Sequence, residues 1–177
     1  MKRTALLAAL FLLFNACGSN EPQVEPNGGE PTDPNGPVVQ PSEPLPGLPE
    51  STAGFDSWLK MNAEPIPPKP ADPHRGTKDV FINQTREAIA PGGENQYPYP
   101  DGTIIVKSAV PPGKDFVGLV AVMTKKKGTN PNHNDWEFIE YLRDNADSSF
   151  RKAFEGRLCE NCHVKAADTD YSFTVLE

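Results

Sequence analysis

Residues 116–123, which read FVGLVAVM, decide the fold predicted for this 177-residue chain. Successive side chains of an extended strand point to opposite faces of a sheet, and here both alternating sets are apolar. Phe116, Val120 and Val122 make up one set, and the odd-numbered residues from 117 to 123 make up the other. Because a strand that is apolar on both faces needs cover on both sides, we expect other parts of the chain to pack on both faces of the sheet here.

Other short strands are predicted on both sides of this stretch. Branched and aromatic residues are concentrated at residues 79–83, 103–110 and 136–142. Pro, Gly and Asn residues, which favour turns, separate these segments from one another. Strands joined by short turns pair most easily with their neighbours along the chain, so we expect a mainly antiparallel sheet.

Two helices are expected to pack on the sheet. Residues 55–61 carry their apolar side chains at helix-like spacing, and a proline cluster ends this segment. Ser148 or Ser149 can cap a last helix that runs from about residue 150 through His163. The expected fold class is therefore α+β, a small and mainly antiparallel sheet domain with packed helices.

The first 17 residues resemble a bacterial lipoprotein signal. Lys2 and Arg3 precede an apolar segment of about 12 residues, which is too short for a membrane span of about 20. The following sequence, LFNACG at residues 13–18, resembles a lipobox in which Cys17 receives the lipid. We expect a periplasmic protein whose one membrane attachment is this lipid anchor, with the outer membrane favoured. An ordinary cleaved signal, removed together with Cys17, is the alternative.

Composition divides the rest of the chain into two parts. Residues 18–50 are rich in Pro, Gly, Glu and Asn and have almost no aromatic or branched side chains, which predicts a disordered tether. Residues 51–177 are then a single folded domain. The net charge of −7 leaves no positive field over the molecule, which argues against nucleic acid as a partner.

Residues 159–163 read CENCH and match the attachment sequence of c-type haem. Residues three apart share one face of a helix, so Cys159 and Cys162 can both bond to one porphyrin. His163, directly after the second cysteine, is then placed to bind the iron. A lipid on Cys17 and a haem on the other two would use all 3 cysteines of the chain.

Two other kinds of site remain open for this motif. A structural zinc ion needs four ligands, and His74 and His133 are the residues that could complete such a set. A thioredoxin-like redox pair needs a helix that follows a strand in a βαβ unit, and the sequence predicts no such unit.

Four short strings resemble those of the cytochrome P460 family, and they occur in the family's order. They are YPDGTIIVK at 99–107, DWEF at 135–138, the haem motif, and DTDYSFT at 168–174. The resemblance covers roughly residues 72–177, and the related beta-type cytochromes c-prime share this domain. It implies an antiparallel β domain with packed helices, commonly a homodimer, that binds five-coordinate haem with an open distal side.

The resemblance also implies two activities. In cytochromes P460 proper, a lysine corresponding to Lys107 is cross-linked to the porphyrin and the enzyme oxidises hydroxylamine, whereas beta-type cytochromes c-prime lack the cross-link and bind nitric oxide. Strand alternation puts Lys107 on the same face as Ile105, so a pocket-facing amine is reasonable, although a lysine at the surface is the alternative.

The hydroxylamine-oxidising members of the family carry a distal carboxylate directly after a position that aligns with Gly118-Leu119, where this chain has Val120. Loss of a positioned proton acceptor typically slows such chemistry by roughly 10²- to 10⁴-fold. An apolar distal wall of Phe116 and Val120, with Val122 as a further candidate, favours uncharged ligands such as nitric oxide or carbon monoxide. The sequence therefore predicts a protein that binds or slowly converts small nitrogen oxides, and it does not decide whether the chain is an enzyme.

Two further functions remain open. The first is a six-coordinate electron-transfer cytochrome that serves a periplasmic redox partner, with Met123, His74 or His133 as the sixth ligand. The second is a haem sensor lipoprotein without turnover. Asp168 and Asp170, which follow the haem motif, are candidates for orienting the groups around the iron ligand.

Overall fold

The computed structural model describes residues 44–177. The predicted signal, Cys17 and residues 18–43 of the predicted tether lie outside the described residues. The described residues contain no helix with the length and apolar character that crossing a membrane requires.

Six antiparallel strands form one sheet, and each strand pairs with its neighbour along the chain. The strands are β1 (Leu59–Lys60), β2 (Thr77–Ile82), β3 (Ile104–Val110), β4 (Leu119–Lys125), β5 (Trp136–Leu142) and β6 (Arg151–Glu155). The α-helices are α1 (Arg86–Ile89) and α2 (Arg157–His163), and 3-10 helices occupy Glu50–Thr52, Phe55–Ser57, Pro91–Gly93, Pro131–His133 and Val164–Thr169. The predicted α+β class is confirmed.

Strand β4 lies between β3 and β5 and is buried on both faces, as its two apolar sets predict. Ile105 and Met123 are cross-strand partners in a core on one face, and Val106 and Val122 are partners in a core on the other. Each fully buried side chain of this size stabilises the fold by about 1.5–3 kcal/mol. The two cores together fix the register of the sheet, because a shift by one residue would exchange its faces.

The helix predicted at 55–61 is wrong. A 3-10 helix covers Phe55–Ser57, and the chain then enters β1, where Leu59 pairs with Ile82. A helix this short forms few backbone hydrogen bonds for the entropy it costs, so pairing with the edge of the sheet is more favourable here.

The long helix predicted at 150–163 is also wrong in its first half. Residues Arg151–Glu155 form β6 along the edge of β5, and Gly156 follows with φ 63° and ψ −134°, which is not helical. Helix α2 therefore begins at Arg157 and still carries the whole CENCH motif.

The folded domain begins before the predicted boundary at residue 51. Leu48 is buried in the second core, and the Phe150 N–H donates a hydrogen bond to the Pro46 carbonyl at 2.7 Å. Gly47 has φ 88°, and a Cβ at this position would lie 2.0 Å from the Phe150 carbonyl oxygen, so no other residue fits. Composition alone assigned these residues to the tether because proline and glycine dominate both segments.

Candidate functional site

A cavity of about 730 Å³ opens on the face of the sheet that carries Ile105 and Met123. Its other walls are helix α2, the loop of residues 69–75 and the chain near Phe173. Most of the side chains around it are apolar, and they include Val80, Ile105, Met123, Phe138, Leu158 and Phe173. A largely apolar cavity of this volume is the usual form of a site for a cofactor or a small ligand.

Cys159 and Cys162 line this cavity from helix α2. Both are half-buried and neither is in a disulfide. Burial raises the pKa of the Cys159 thiol, and the negative charges of Glu140 and Glu160 act in the same direction. Cys159 is therefore a neutral thiol at physiological pH.

His163 completes the motif at the end of α2 and is buried. Its Nδ1 lies 2.7 Å from the carbonyl oxygen of Tyr171. Because a carbonyl can only accept, Nδ1 carries the proton and Nε2 carries the lone pair. Burial lowers the pKa of His163 to about 4, so the imidazole is neutral at physiological pH. A neutral imidazole whose other nitrogen is held by a backbone carbonyl is typical of a metal ligand.

The Tyr171 carbonyl is held in place by a buried network around Asp170. The Asp170 carboxylate accepts hydrogen bonds from Tyr99 N–H at 2.8 Å, Lys125 Nζ at 2.9 Å and Asn134 Nδ2 at 2.6 Å. Asp170 and Tyr171 both have the left-handed backbone conformation, with φ of 50° and 66°. Of the two aspartates named from the sequence, Asp170 forms this network, and Asp168 is exposed.

Lys125 is buried, although it begins a run of three lysines. The run of three lysines at 125–127 predicts a solvated turn, but Lys125 is buried beside Asp170, with its Nζ 5.0 Å from the centre of the Trp136 ring. Lys125 is the last residue of an apolar strand and lies directly opposite Trp136 of β5. Its place at the end of that strand is the feature of the sequence that could have indicated burial.

A cluster of three polar side chains lines the same cavity. Lys107 of β3 and Glu140 of β5 are the cross-strand partners of Ala121, so the three residues form one row across the sheet. His74 of the loop joins them, with Nε2 3.2 Å from Glu140 Oε2 and Nδ1 3.5 Å from Lys107 Nζ. Burial lowers the pKa of the Lys107 ammonium. The cavity thus combines apolar walls with an amine, an imidazole and a carboxylate.

The buried side chain of Lys78 anchors the loop that carries His74. Its Nζ donates hydrogen bonds to the carbonyls of Pro67, His74 and Gly76 and lies 2.9 Å from Asp72 Oδ2. Asp72 Oδ1 in turn accepts the backbone N–H of His74 at 3.0 Å. Burial opposes ionisation of Asp72, but the bonds from Lys78 and His74 and the lysine charge outweigh it and lower the pKa of Asp72.

The prediction that Phe116 and Val120 form a distal wall of the site is wrong. Val120 is fully buried in the core on the opposite face of the sheet. Phe116 packs against the Arg143 guanidinium, whose Cζ lies 5.5 Å from the centre of the Phe116 ring. Neither residue lines the cavity, whereas Ala121, Val122 and Met123 of β4 do. Strand alternation separated the two sets correctly, but both are apolar, so the sequence could not tell which set faces the site.

Glu140 is the site residue that sequence reasoning missed. Its carboxylate lines the cavity from β5, whereas a distal carboxylate was sought in the sequence only at the position of Val120. A signal was present, since Glu140 shares a strand face with the buried Trp136 and Phe138, and an acidic residue on an apolar face calls for an explanation.

The three residues considered as a sixth ligand of the iron differ in whether they line the cavity. His74 and Met123 line the cavity, and His133 does not. The Nδ1 of His133 lies 3.2 Å from Asn130 Oδ1, and its ring packs on Tyr171. Within residues 44–177, no three His, Cys, Asp or Glu side chains are grouped as a metal-ion site of the zinc type requires.

The comparison with known proteins gives one family. The model of the family described as cytochrome P460 matches residues 52–174, which include every residue of the cavity named above. No curated protein matches the chain.

Proposed function

Because the chain belongs to the cytochrome P460 family and is therefore a haem protein, we propose that the cavity holds haem c, bonded to Cys159 and Cys162. His163 would bind the iron through Nε2. One observation carries this proposal: the three side chains face one cavity from a single helix, with the Nδ1 of His163 committed to the Tyr171 carbonyl. When bound, the haem supplies a redox-active iron that takes small ligands.

The residues present fit this group. Two free thiols three positions apart can bond to one porphyrin, and the apolar walls and the volume of about 730 Å³ suit a large planar cofactor. The Asp170 network supports the fit, because it fixes the carbonyl that orients His163. Such supporting contacts keep a ligand in the orientation that the metal requires.

We further propose that the ligand is a small nitrogen oxide, either nitric oxide or hydroxylamine. The apolar walls admit a small uncharged molecule, and the polar side chains of His74, Lys107 and Glu140 provide hydrogen-bond partners beside it. Conversion of hydroxylamine must remove protons, and the Glu140 carboxylate next to His74 supplies a proton acceptor that Val120 does not. The lowered pKa of Lys107 favours its neutral amine, which is the nucleophilic form that a cross-link to the porphyrin needs.

The location of the protein and its partners are also proposals. Export to the periplasm, a lipid on Cys17, attachment to the outer membrane, a periplasmic redox partner and a homodimer are all consistent with the sequence features described above. Peptide mass mapping of the purified full chain tests the first two, since acylation changes the mass of the peptide that contains Cys17.

Covalent attachment is tested by producing the full chain in a bacterium that matures c-type cytochromes. Trypsin cleaves after Arg157 and Lys165, so the peptide of residues 158–165 should carry the haem mass and remain coloured after denaturation. The double substitution of Cys159 and Cys162 by Ser should abolish this bound colour. A mature chain that emerges without iron or haem would contradict the proposal.

The nitrogen-oxide function is tested on the same holoprotein. Nitric oxide added to the reduced protein should change its absorption spectrum at stoichiometric concentration. Hydroxylamine with an artificial electron acceptor should be consumed, and Glu140→Gln should slow this reaction by roughly 10²-fold or more if the carboxylate is the proton acceptor. Absence of both reactions would leave a haem protein with another ligand.

A further inference from the structure

Two cationic side chains lie at the mouth of the cavity. Lys69 and Arg75 both line it, and both are exposed. Among residues 44–177, neither of them forms a salt bridge. The carboxylates of the cavity belong to Asp72 and Glu140, and each already pairs with another side chain described above. The two cations are therefore free to pair with a ligand.

The two thiols lie on the opposite side of the cavity. Helix α2, which carries them, packs on β5 and β6 at one edge of the sheet. The loop that carries the two cations is tied to β2, near the other edge, by the hydrogen bonds that Lys78 donates to its backbone. Strands β3 and β4 lie between these two attachments. The cations and the thiols therefore flank the cavity from opposite sides.

Haem has the same polarity from one edge to the other. Its two vinyl groups, which bond to the thiols of a motif such as CENCH, are on one edge of the porphyrin. Its two carboxylates, the propionates, are on the opposite edge. When the vinyl edge is fixed at α2, the carboxylates point away from the helix and toward the loop. An apolar centre with two cations at the far end matches such a molecule.

The backbone of the loop is already ordered around the two cations. The N–H of Asp72 donates a hydrogen bond to the Lys69 carbonyl at 3.2 Å, and the N–H of Arg75 donates one to the Pro73 carbonyl at 3.0 Å. A Cβ on Gly76 would lie 2.1 Å from a backbone carbonyl oxygen of β3, so the end of the loop is pressed against the sheet. A loop held in this way can bind a ligand with little further ordering cost.

We propose that Arg75 and Lys69 bind the carboxylates of the haem and so fix the orientation of the porphyrin in the cavity. The guanidinium of Arg75 offers parallel N–H donors to one carboxylate, and the ammonium of Lys69 acts as a point charge beside the other. This inference rests on the proposed function, because it takes haem bonded to α2 as given.

Cross-linking of the wild-type holoprotein tests the placement of Lys69. A carbodiimide activates a carboxylate, the Lys69 amine attacks it, and an amide forms while the carbodiimide leaves as a urea that has taken up the released water. Trypsin does not cleave between lysine and proline, so Lys69 stays within the peptide of residues 61–75. This peptide should be joined to the haem of the peptide of residues 158–165, with the bond located by fragmentation.

Lys69→Arg removes the reactive amine and keeps the charge, so it should abolish the joined peptide. Haem that is joined only to other lysines, or to none, would overturn the role of Lys69.

Resonance Raman spectroscopy tests the contact of Arg75. The bending band of the propionates should shift in Arg75→Gln, because the carboxylate loses two hydrogen-bond donors. The reduction potential should also fall, because a nearby positive charge favours the reduced haem. Arg75→Lys should keep a potential close to that of wild type. Arg151→Gln is the matched control, since Arg151 is also exposed but lies on β6 outside the cavity, and it should leave the band unchanged.

An unchanged band in Arg75→Gln, with or without a shifted potential, would overturn the contact. Weaker binding of azide by Arg75→Gln, together with an unchanged band, would assign the two cations to a free anion and would also overturn it. Absence of the haem mass from residues 158–165 would refute the proposed function and this inference with it. Holoprotein that carries the haem mass but keeps its band in Arg75→Gln would refute the role of the loop alone.

Discussion

Replacement of Asp170 by Ala should destabilise the folded domain by about 3–5 kcal/mol, because it removes one partner of a buried ion pair and strands the other charge. The pair is fully enclosed, with 8% of the Lys125 side chain and 1% of the Asp170 side chain exposed. The same carboxylate also accepts hydrogen bonds from Tyr99 N–H and the Asn134 amide, which would lose their acceptor.

Urea denaturation of the holoprotein, followed by far-ultraviolet circular dichroism, measures this loss as a change in the free energy of unfolding. Asp168→Ala is the matched control, since this nearby aspartate is exposed, and it should change stability by less than about 0.5 kcal/mol. The double variant Lys125→Met/Asp170→Leu should recover much of the loss, because it leaves no unpaired charge behind. A loss below about 1 kcal/mol in Asp170→Ala would refute the reasoning that this pair is buried and coupled.

Three further predictions test other parts of the structure. Gly47→Ala should destabilise the domain by about 1–3 kcal/mol in the same assay, because its Cβ would collide with the Phe150 carbonyl at a φ of 88°, and an unchanged stability would contradict the placement of this segment. The pKa of Asp72 is lowered, so its pair with Lys78 stabilises the domain fully above the normal carboxyl pKa, and this stabilisation is lost as the pH falls through the lowered pKa. Asp72→Asn should therefore lose less stability on acidification than wild type, which urea titrations at several pH values measure. Val120→Glu should cost several kcal/mol and reduce the yield of folded protein without promoting hydroxylamine oxidation, since its carboxylate would enter the core away from the cavity.

Local patterns in the sequence predict much of the sheet. Alternation and turn residues located four of its strands, and the strand predicted at residues 116–123 is covered on both faces, as its two apolar sets predict. The strand Arg151–Glu155 was not predicted, because its exposed edge position leaves little periodic pattern and Ser148 or Ser149 suggested a helix start. The edge of β5, which organises this segment, is not visible in a local reading of the chain.

The candidate site divides in the same way. The haem motif is local, so its presence on a helix could be predicted from five consecutive residues. The meeting of His74 with Glu140 joins residues that are far apart in the chain, and it depends on the strand register and on the anchoring of the loop by Lys78. Val120 was misassigned for a related reason, since alternation says which side chains share a face and not which face adjoins a cavity.

The simple order of the sheet has a consequence for the way the domain is made. Every strand contacts the strand that precedes it, so all six can assemble by residue 155 without waiting for distant partners. Pairing between strands that are adjacent in the chain closes shorter loops than pairing between distant strands would. The two thiols lie beyond this point, on helix α2, so all six strands precede in the chain the residues that we propose to bond to haem.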